Sequence, residues 1–247
     1  MLEIKDLSAS YGKRKVLSDI NAVIERGKFT AIIGRNGSGK STFLSALASS
    51  MRYSGSILLD GKALSDFKKR DLAKKISYLP QNLPITPFTV RETAAFGREP
   101  YTDLSGKLND GDKMIVGSAL EKCGLLHLSE KRMNEISGGE RQMAYLAMMI
   151  AQDAELMLLD EPTTYMDAPN ARGFMKILSE ERDRGKTVAA VMHDLTGAVK
   201  YADNIILIDE GKLIFAGTRE DVLSSKLIES IMGVESCRLD NGSVVFI

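Results

Sequence analysis

The chain of 247 residues lacks most of the features that settle a protein's class at a glance. It has no net charge, with 33 Lys and Arg against 33 Asp and Glu. A nucleic-acid binder usually carries a basic excess, so the balance argues against that class. The two short basic runs, Lys13-Arg14-Lys15 and Lys68-Lys69-Arg70, read as solvated surface. Only two cysteines occur, Cys123 and Cys237, in unrelated contexts. That excludes a disulfide framework or a cysteine metal site and suits a reducing compartment. The opening MLEIKDLSAS has no apolar core, so a secretory signal is not expected. No uncharged apolar run approaches the ~20 residues that cross a bilayer. Any membrane process served by this chain needs another chain to do the spanning. Internal repeats and low-complexity segments are also missing.

What is present is an ordinary globular balance, 44% apolar and 27% charged. Short apolar runs rich in β-branched residues predict strands at Leu2–Leu7, Val16–Ile24, Phe29–Ile33, Ser56–Leu59, Leu156–Leu159, Thr187–Met192, Ile205–Ile208 and Lys212–Phe215. The first two flank the turn YGKRK and fit antiparallel pairing, whereas LMLLD and VAAVM are continuous runs that fit buried parallel strands. Helical patterns lie at Ser41–Ser50, Asp112–Cys123, Glu140–Gln152 and Asn170–Arg184. Strand–helix alternation argues for an α/β layered core. The expected core comprises residues 1–84, with an antiparallel β part, and 153–222. From 85 to 152 only helical patterns occur, which reads as an inserted helical subdomain. Residues 223–247 read as a short helix followed by a hairpin around Asp240-Asn241-Gly242.

Three stretches carry chemistry. GRNGSGKST, Gly34 to Thr42, matches G-x-x-x-x-G-K-[ST] between a predicted strand and a predicted helix. Its glycines let backbone N–H groups wrap a phosphate chain at a helix N-terminus. Lys40 is expected to reach the β and γ phosphates, and the Ser41 hydroxyl to ligate Mg²⁺. LMLLDEP ends an apolar strand in Asp160 and Glu161, where ligands bind in open α/β sheets. Alone, an Asp-Glu at a strand end is a turn. Beside a phosphate loop, Asp160 suits Mg²⁺ and Glu161 is placed to polarise an attacking water. Gln81 and His193 follow the strand-like runs ISYLP and TVAAVM, which makes a γ-phosphate contact by His193 plausible. Tyr11, beside the YGKRK turn, is either packing or a platform for a base. His127 receives no role.

The third stretch, NEISGGERQM, poses a puzzle. Ser137-x-x-Glu140 is a capping box at a helix start, yet Gly138 and Gly139 in a first helical turn cost backbone entropy. Two bare glycines let a phosphate approach backbone N–H groups. Gly34–Thr42 already supplies one cradle, so a second copy of the chain, packed head to tail, is the expected user, with Ser137 and Gly139 touching the γ-phosphate in trans.

These residues, in this order, resemble the ATP-binding-cassette (ABC) ATPases over essentially the whole chain. The resemblance implies a P-loop NTPase core with an N-terminal antiparallel β subdomain and an inserted helical subdomain. It carries Gly34, Asn36, Gly37, Ser38, Gly39, Lys40, Ser41 and Thr42 as Walker A, Gln81 as the Q-loop, and Ser137, Gly138, Gly139 and Glu140 as the signature. Asp160 corresponds to Walker B, Glu161 to the catalytic glutamate, Asp167 to the D-loop aspartate and His193 to the switch histidine. Tyr11 matches the aromatic that stacks on adenine. ATP and Mg²⁺ are the implied cofactors, with Ser41, Gln81 and Asp160 as metal ligands and Lys40, Gln81, Glu161 and His193 in the catalytic set. The signature departs from the usual pattern at Ile136, Glu140 and Met143, and the D-loop TTYMD carries a bulky Tyr165 and Met166.

SYLPQN, FTVRETAAFGREPY, SGGERQ, MHDL, YADNIILIDEGKLIFAGTREDVL and IMGVESCRL look most similar to ATPase subunits of bacterial importers for iron–siderophore, haem and cobalamin. The implied partners are a second copy of the chain, transmembrane permease subunits and, indirectly, a substrate-binding protein. The implied location is the cytoplasmic face of the cell membrane, peripherally bound. The alternative is a soluble cassette ATPase of iron–sulfur cluster assembly. A DNA-repair cassette is disfavoured, because only Phe43 to Ile136 separates Walker A from the signature and no heptads are sustained there.

Overall fold

The computed structural model describes residues 1–103, 106–240 and 242–247. The chain opens with β1 (Leu2–Tyr11) and β2 (Arg14–Ile24), an antiparallel hairpin closed at Tyr11↔Arg14. The strand β1 outruns its sequence expectation because a bulge breaks the alternation. Asp6 adopts φ 51, its N–H donates to the Asn21 side chain at 3.0 Å, and the register shifts between Ile4 and Leu7. After β3 (Phe29–Ile33), α1 (Lys40–Leu47), β4 (Ser54–Leu59) and β5 (Lys62–Ala63), the first four-stranded sheet is complete in the order β2-β1-β4-β5.

Then follow α2 (Lys69–Ala73), β6 (Ile76–Leu79), α3 (Val90–Ala95), α4 (Asp110–Lys122) and α5 (Gly138–Gln152). Next come β7 (Leu156–Asp160), α6 (Ala168–Asp183), β8 (Thr187–Val191), α7 (Leu195–Tyr201), β9 (Asn204–Asp209) and β10 (Lys212–Thr218). The second sheet runs β10-β9-β3-β8-β7-β6, parallel except for the antiparallel edge strand β10. The chain ends in α8 (Arg219–Ser225), α9 (Leu227–Met232) and the hairpin β11 (Ser236–Arg238) with β12 (Val244–Phe246). Asn241, expected in the turn of that hairpin, lies outside the described residues.

The central strands read as unbroken apolar runs because both faces are covered. Successive residues feed different cores. Met157 and Leu159, with Val188 and Ala190, join the helices α4, α5 and α6, while Leu156 and Leu158, with Ala189 and Val191, join α1 and the antiparallel sheet. Strand β6 was legible only as a strand-like run before Gln81. It is four residues long and interrupted by Ser77 and Tyr78, so pairing with β7 rather than composition makes it a strand.

Between β6 and β7, among the described residues, the only β-pairing is an isolated bridge, Thr89↔Arg132. The helices there are fastened by a buried ion pair. Arg98 Nε donates to Asp112 Oδ1 at 2.9 Å, and Arg98 Nη1 donates to the Ala151 carbonyl at 2.8 Å, joining α4 to the end of α5. Breaking such a pair leaves an uncompensated buried charge. Arg98→Met is expected to lower stability by about 3–5 kcal/mol in urea denaturation. Adding Asp112→Asn, which removes the orphaned charge, should recover part of the loss.

Candidate functional site

The loop after β3 turns on glycine for steric reasons. Gly34 has φ 149, and a Cβ there would lie 1.9 Å from the Ile208 carbonyl oxygen, so the loop passes against β9 with no room for a side chain. The residue that caps α1 is Gly39, in the left-handed region at φ 105, and no side chain caps the helix. The first N–H groups of α1 therefore face the loop with the positive end of the helix dipole behind them. The Ser38 hydroxyl is buried in this loop without a partner.

Lys40 folds back into the loop and is almost fully buried. Its ammonium donates to the carbonyls of Gly34 and Arg35, each at 2.9 Å. Burial holds its pKa below the ordinary lysine value, with the charges of Glu161 and Asp160 pulling the other way. The next residue, Ser41, donates its hydroxyl to Asp160 Oδ1 at 3.0 Å. Burial raises the Asp160 carboxyl above its ordinary value, and the Ser41 hydrogen bond opposes this.

Glu161 leaves the end of β7 at φ 50, a left-handed conformation uncommon for a non-glycine residue. Its N–H donates to the Val191 carbonyl at 3.2 Å, and its carboxylate is held from three sides. Gln81 Nε2 donates to Oε2 at 2.6 Å, the Thr164 hydroxyl donates to Oε2 at 3.3 Å, and His193 Nε2 lies 2.5 Å from Oε1. Gln81 follows β6, Glu161 follows β7 and His193 follows β8, three neighbours in the sheet. A cleft of about 550 Å³ joins these three to Asn36, Gly37, Gly39, Lys40, Ser41 and Thr42.

The remaining expected residues are not in this cleft. Ser137 and Glu140 form a reciprocal cap on α5, with Glu140 N–H to Ser137 Oγ at 3.3 Å and Ser137 N–H to Glu140 Oε2 at 2.8 Å. The backbone bond from Ser137 holds the Glu140 carboxyl below its ordinary value. Neither Gly138 nor Gly139 takes a positive φ. A Cβ at Gly138 would meet nothing within 4 Å, and one at Gly139 only the Asn170 side chain at 3.6 Å. This chain's own packing and backbone therefore do not require either glycine. Asp167 caps α6 through the Asn170 N–H at 2.9 Å and is exposed. Tyr11 ends β1 with 60% of its surface exposed.

Sequence reasoning missed three participants. Val16 lines the cleft. Thr164 steadies Glu161 from within the polar run TTYMD, which was the available signal. Arg141 donates to the carbonyls of Met133 at 3.1 Å and Ile136 at 3.3 Å, pinning the segment that leads into Ser137. An arginine in the first turns of a helix gives no sequence signal of that task.

The donor chemistry fits Mg²⁺ accompanied by phosphates. Ser41, Asp160 and Gln81 offer hydroxyl, carboxylate and amide oxygens, and no cluster of three or more His, Cys, Asp or Glu able to hold a metal exists among the described residues. Such a sparse, hard donor set suits an ion that keeps waters and substrate oxygens as most of its ligands.

A parallel sheet with a glycine loop opening a helix, a buried lysine in that loop and carboxylates at the end of the strand next but one defines a P-loop nucleotide-hydrolysing fold. The family model described as ABC transporter matches residues 17–164. Ferric enterobactin transport ATP-binding protein FepC of Escherichia coli K12 is 38% identical over 241 residues, covering 96% of this chain and 89% of the relative. Iron(3+)-hydroxamate import ATP-binding protein FhuC of Bacillus subtilis 168 is 36% identical over 239 residues, covering 95% and 88%. A dimeric bacterial ABC transporter cassette superposes with a TM-score of 0.79 at 24% identity, covering 89% of this chain and 99% of that one. The chain belongs to the ABC transporter family, and it is an ATP-binding ATPase subunit of that family. No helix among the described residues is long and apolar enough to cross a membrane.

The Asp160 geometry has a pH consequence. Its folded pKa is raised, so the folded chain favours the protonated carboxyl more than the unfolded chain does. The stabilisation from that proton is complete below the ordinary value of 3.8 and is lost as pH rises through the raised folded value. At neutral pH the buried carboxylate is a net cost to the nucleotide-free fold. Asp160→Asn should raise the thermal midpoint at pH 7 without nucleotide, and the gain should vanish as the pH falls to about 3.8.

Proposed function

We propose that this chain is the ATP-hydrolysing subunit of a bacterial importer, powering uptake of an iron–siderophore or similar metal chelate through a separate permease. The observation that carries the hydrolytic part is the Glu161 carboxylate, held between Gln81 and His193 beside Lys40, Ser41 and Asp160. The cargo class is supported by the relatives, whose names specify ferric enterobactin and iron(3+)-hydroxamate.

In this reading the loop Gly34 to Thr42 binds the triphosphate through backbone N–H groups, with Asn36, Gly37, Ser38, Gly39 and Thr42 lining it and Lys40 neutralising phosphate charge. Ser41, Asp160 and Gln81 would hold Mg²⁺, which when bound supplies charge neutralisation at the phosphates. Glu161 orients the attacking water, and His193 holds Glu161 and the γ-phosphate in register. Tyr11 stacks on the adenine.

Two chains bind two ATP molecules between them, head to tail. The side-chain-free N–H face of Gly138 and Gly139, unused by its own chain, closes with Ser137, Glu140 and Asp167 over the partner's nucleotide. The γ-phosphate then bridges the two chains, and its release favours reopening. We take residues 1–84 and 153–222 as the core, 85–152 as the helical subdomain and 223–247 as a C-terminal appendage. The helical subdomain and the Gln81 segment pass the motion to the permease at the cytoplasmic face of the membrane. The exposed pair Phe88 and Phe96, edge to face at 4.9 Å, supports a docking surface there.

Glu161→Gln should trap an ATP-bound dimer, visible by gel filtration with ATP, while steady-state phosphate release falls about 100-fold or more. Normal turnover would remove the role given to Glu161. The importer assignment is tested by isolating the tagged chain from detergent-solubilised membranes. Co-purification of a stoichiometric polytopic membrane protein is expected, whereas soluble iron–sulfur assembly proteins alone would replace the importer reading.

A further inference from the structure

The C-terminal segment reaches the phosphate loop through one side chain. Arg35 Nε donates to the Ile231 carbonyl at 2.7 Å, across 196 residues of sequence. Ile231 lies in the last turn of α9, where backbone carbonyls have no partner within the helix and the dipole favours a cation. The main-chain carbonyl of the same arginine accepts a hydrogen bond from Lys40 Nζ at 2.9 Å. Asp209, at the end of β9, stands 3.9 Å from Arg35 Nη1 and biases the guanidinium toward that side. One residue thus holds the loop lysine with its backbone and the tail with its side chain.

The tail is seated firmly enough to act as an anchor. Ile228 of α9 is fully buried in the larger core. The Phe246 N–H donates to Thr196 Oγ1 at 3.1 Å, on the helix that begins two residues after His193. The segment therefore touches both the phosphate loop and the helix following His193.

We propose that Arg35 is a positioning residue through which the C-terminal segment fixes the phosphate loop and sets its affinity for ATP. This rests on the reading of Gly34–Thr42 as the triphosphate cradle. Arg35 is about half exposed, so its hydrogen bond is partly screened and the effect is moderate rather than absolute.

The test measures ATP dissociation constants of the full-length chain by displacement of a fluorescent ATP analogue. Arg35→Ala should raise the constant about three- to tenfold, the range for one partly solvated hydrogen bond from a charged donor. Ile228→Ala, which loosens α9 without touching the loop, should also raise it. The double variant should be no weaker than Arg35→Ala alone, because both act through the same link. In hydrogen exchange, ATP should slow the amides of residues 229–233 in the parent chain and not in Arg35→Ala. Unchanged affinity in Arg35→Ala, or additive losses in the double variant, would overturn the tether. Failure of the parent chain to bind ATP would instead remove the phosphate-cradle reading beneath it.

Discussion

Everything at the site depends on strands lying in parallel register within one sheet. Leu79 pairs with Leu159, Asp160 with Val191, and Ile32 with both Val191 and Ile206. Because these strands point the same way and end together, the residues that follow them emerge along one edge. Asn36, Gln81, Glu161 and His193 thereby share a cleft although they are scattered from residue 36 to residue 193. Parallel pairing needs crossover connections and apolar cover on both faces. Here that requirement explains the helices on either side and the two separate cores drawing on alternate residues of the same strands.

A second level of organisation is the internal pairing of charge. Burial disfavours the ionised forms of both Lys40 and Asp160. The lysine is met by two carbonyls, Asp160 by a hydroxyl, and Glu161 by an amide, a hydroxyl and an imidazole. Asp160 and Glu161 are thus each held by a neighbour on another element, and Lys40 by its own loop. A triphosphate with its counter-ion has to replace those bonds with stronger ones, so the site favours a highly charged ligand over a neutral one.

The start of α5 shows how local cost and distant use coexist. Its cap is well formed, with Ser137 and Glu140 satisfying each other's backbone donors, and Arg141 secures the approach. The two glycines contribute nothing to that cap and relieve no clash within the chain. A feature that weakens its own helix without an intramolecular reason supports the proposal that a partner chain completes this surface.

Much of this was legible beforehand. The phosphate loop, the strand ending in Asp160 and Glu161, and the capping box at Ser137 are local patterns in which spacing and hydrophobic period carry the physics. The buried parallel strands were legible for the same reason, since a run covered on both faces must be apolar throughout. Strand β6 was largely hidden because its identity lies in its pairing with β7. The bulge at Asp6 was hidden because alternation is lost where the register shifts. The sequence by itself determined which chemical groups the protein possesses and the class of fold that holds them, because those depend on composition and short-range spacing. Only the tertiary structure decided that Gln81, Thr164 and His193 meet on one carboxylate, and that Arg35 joins the loop to a helix 196 residues away. Those contacts arise from strand order and chain return, which no local pattern of residues encodes.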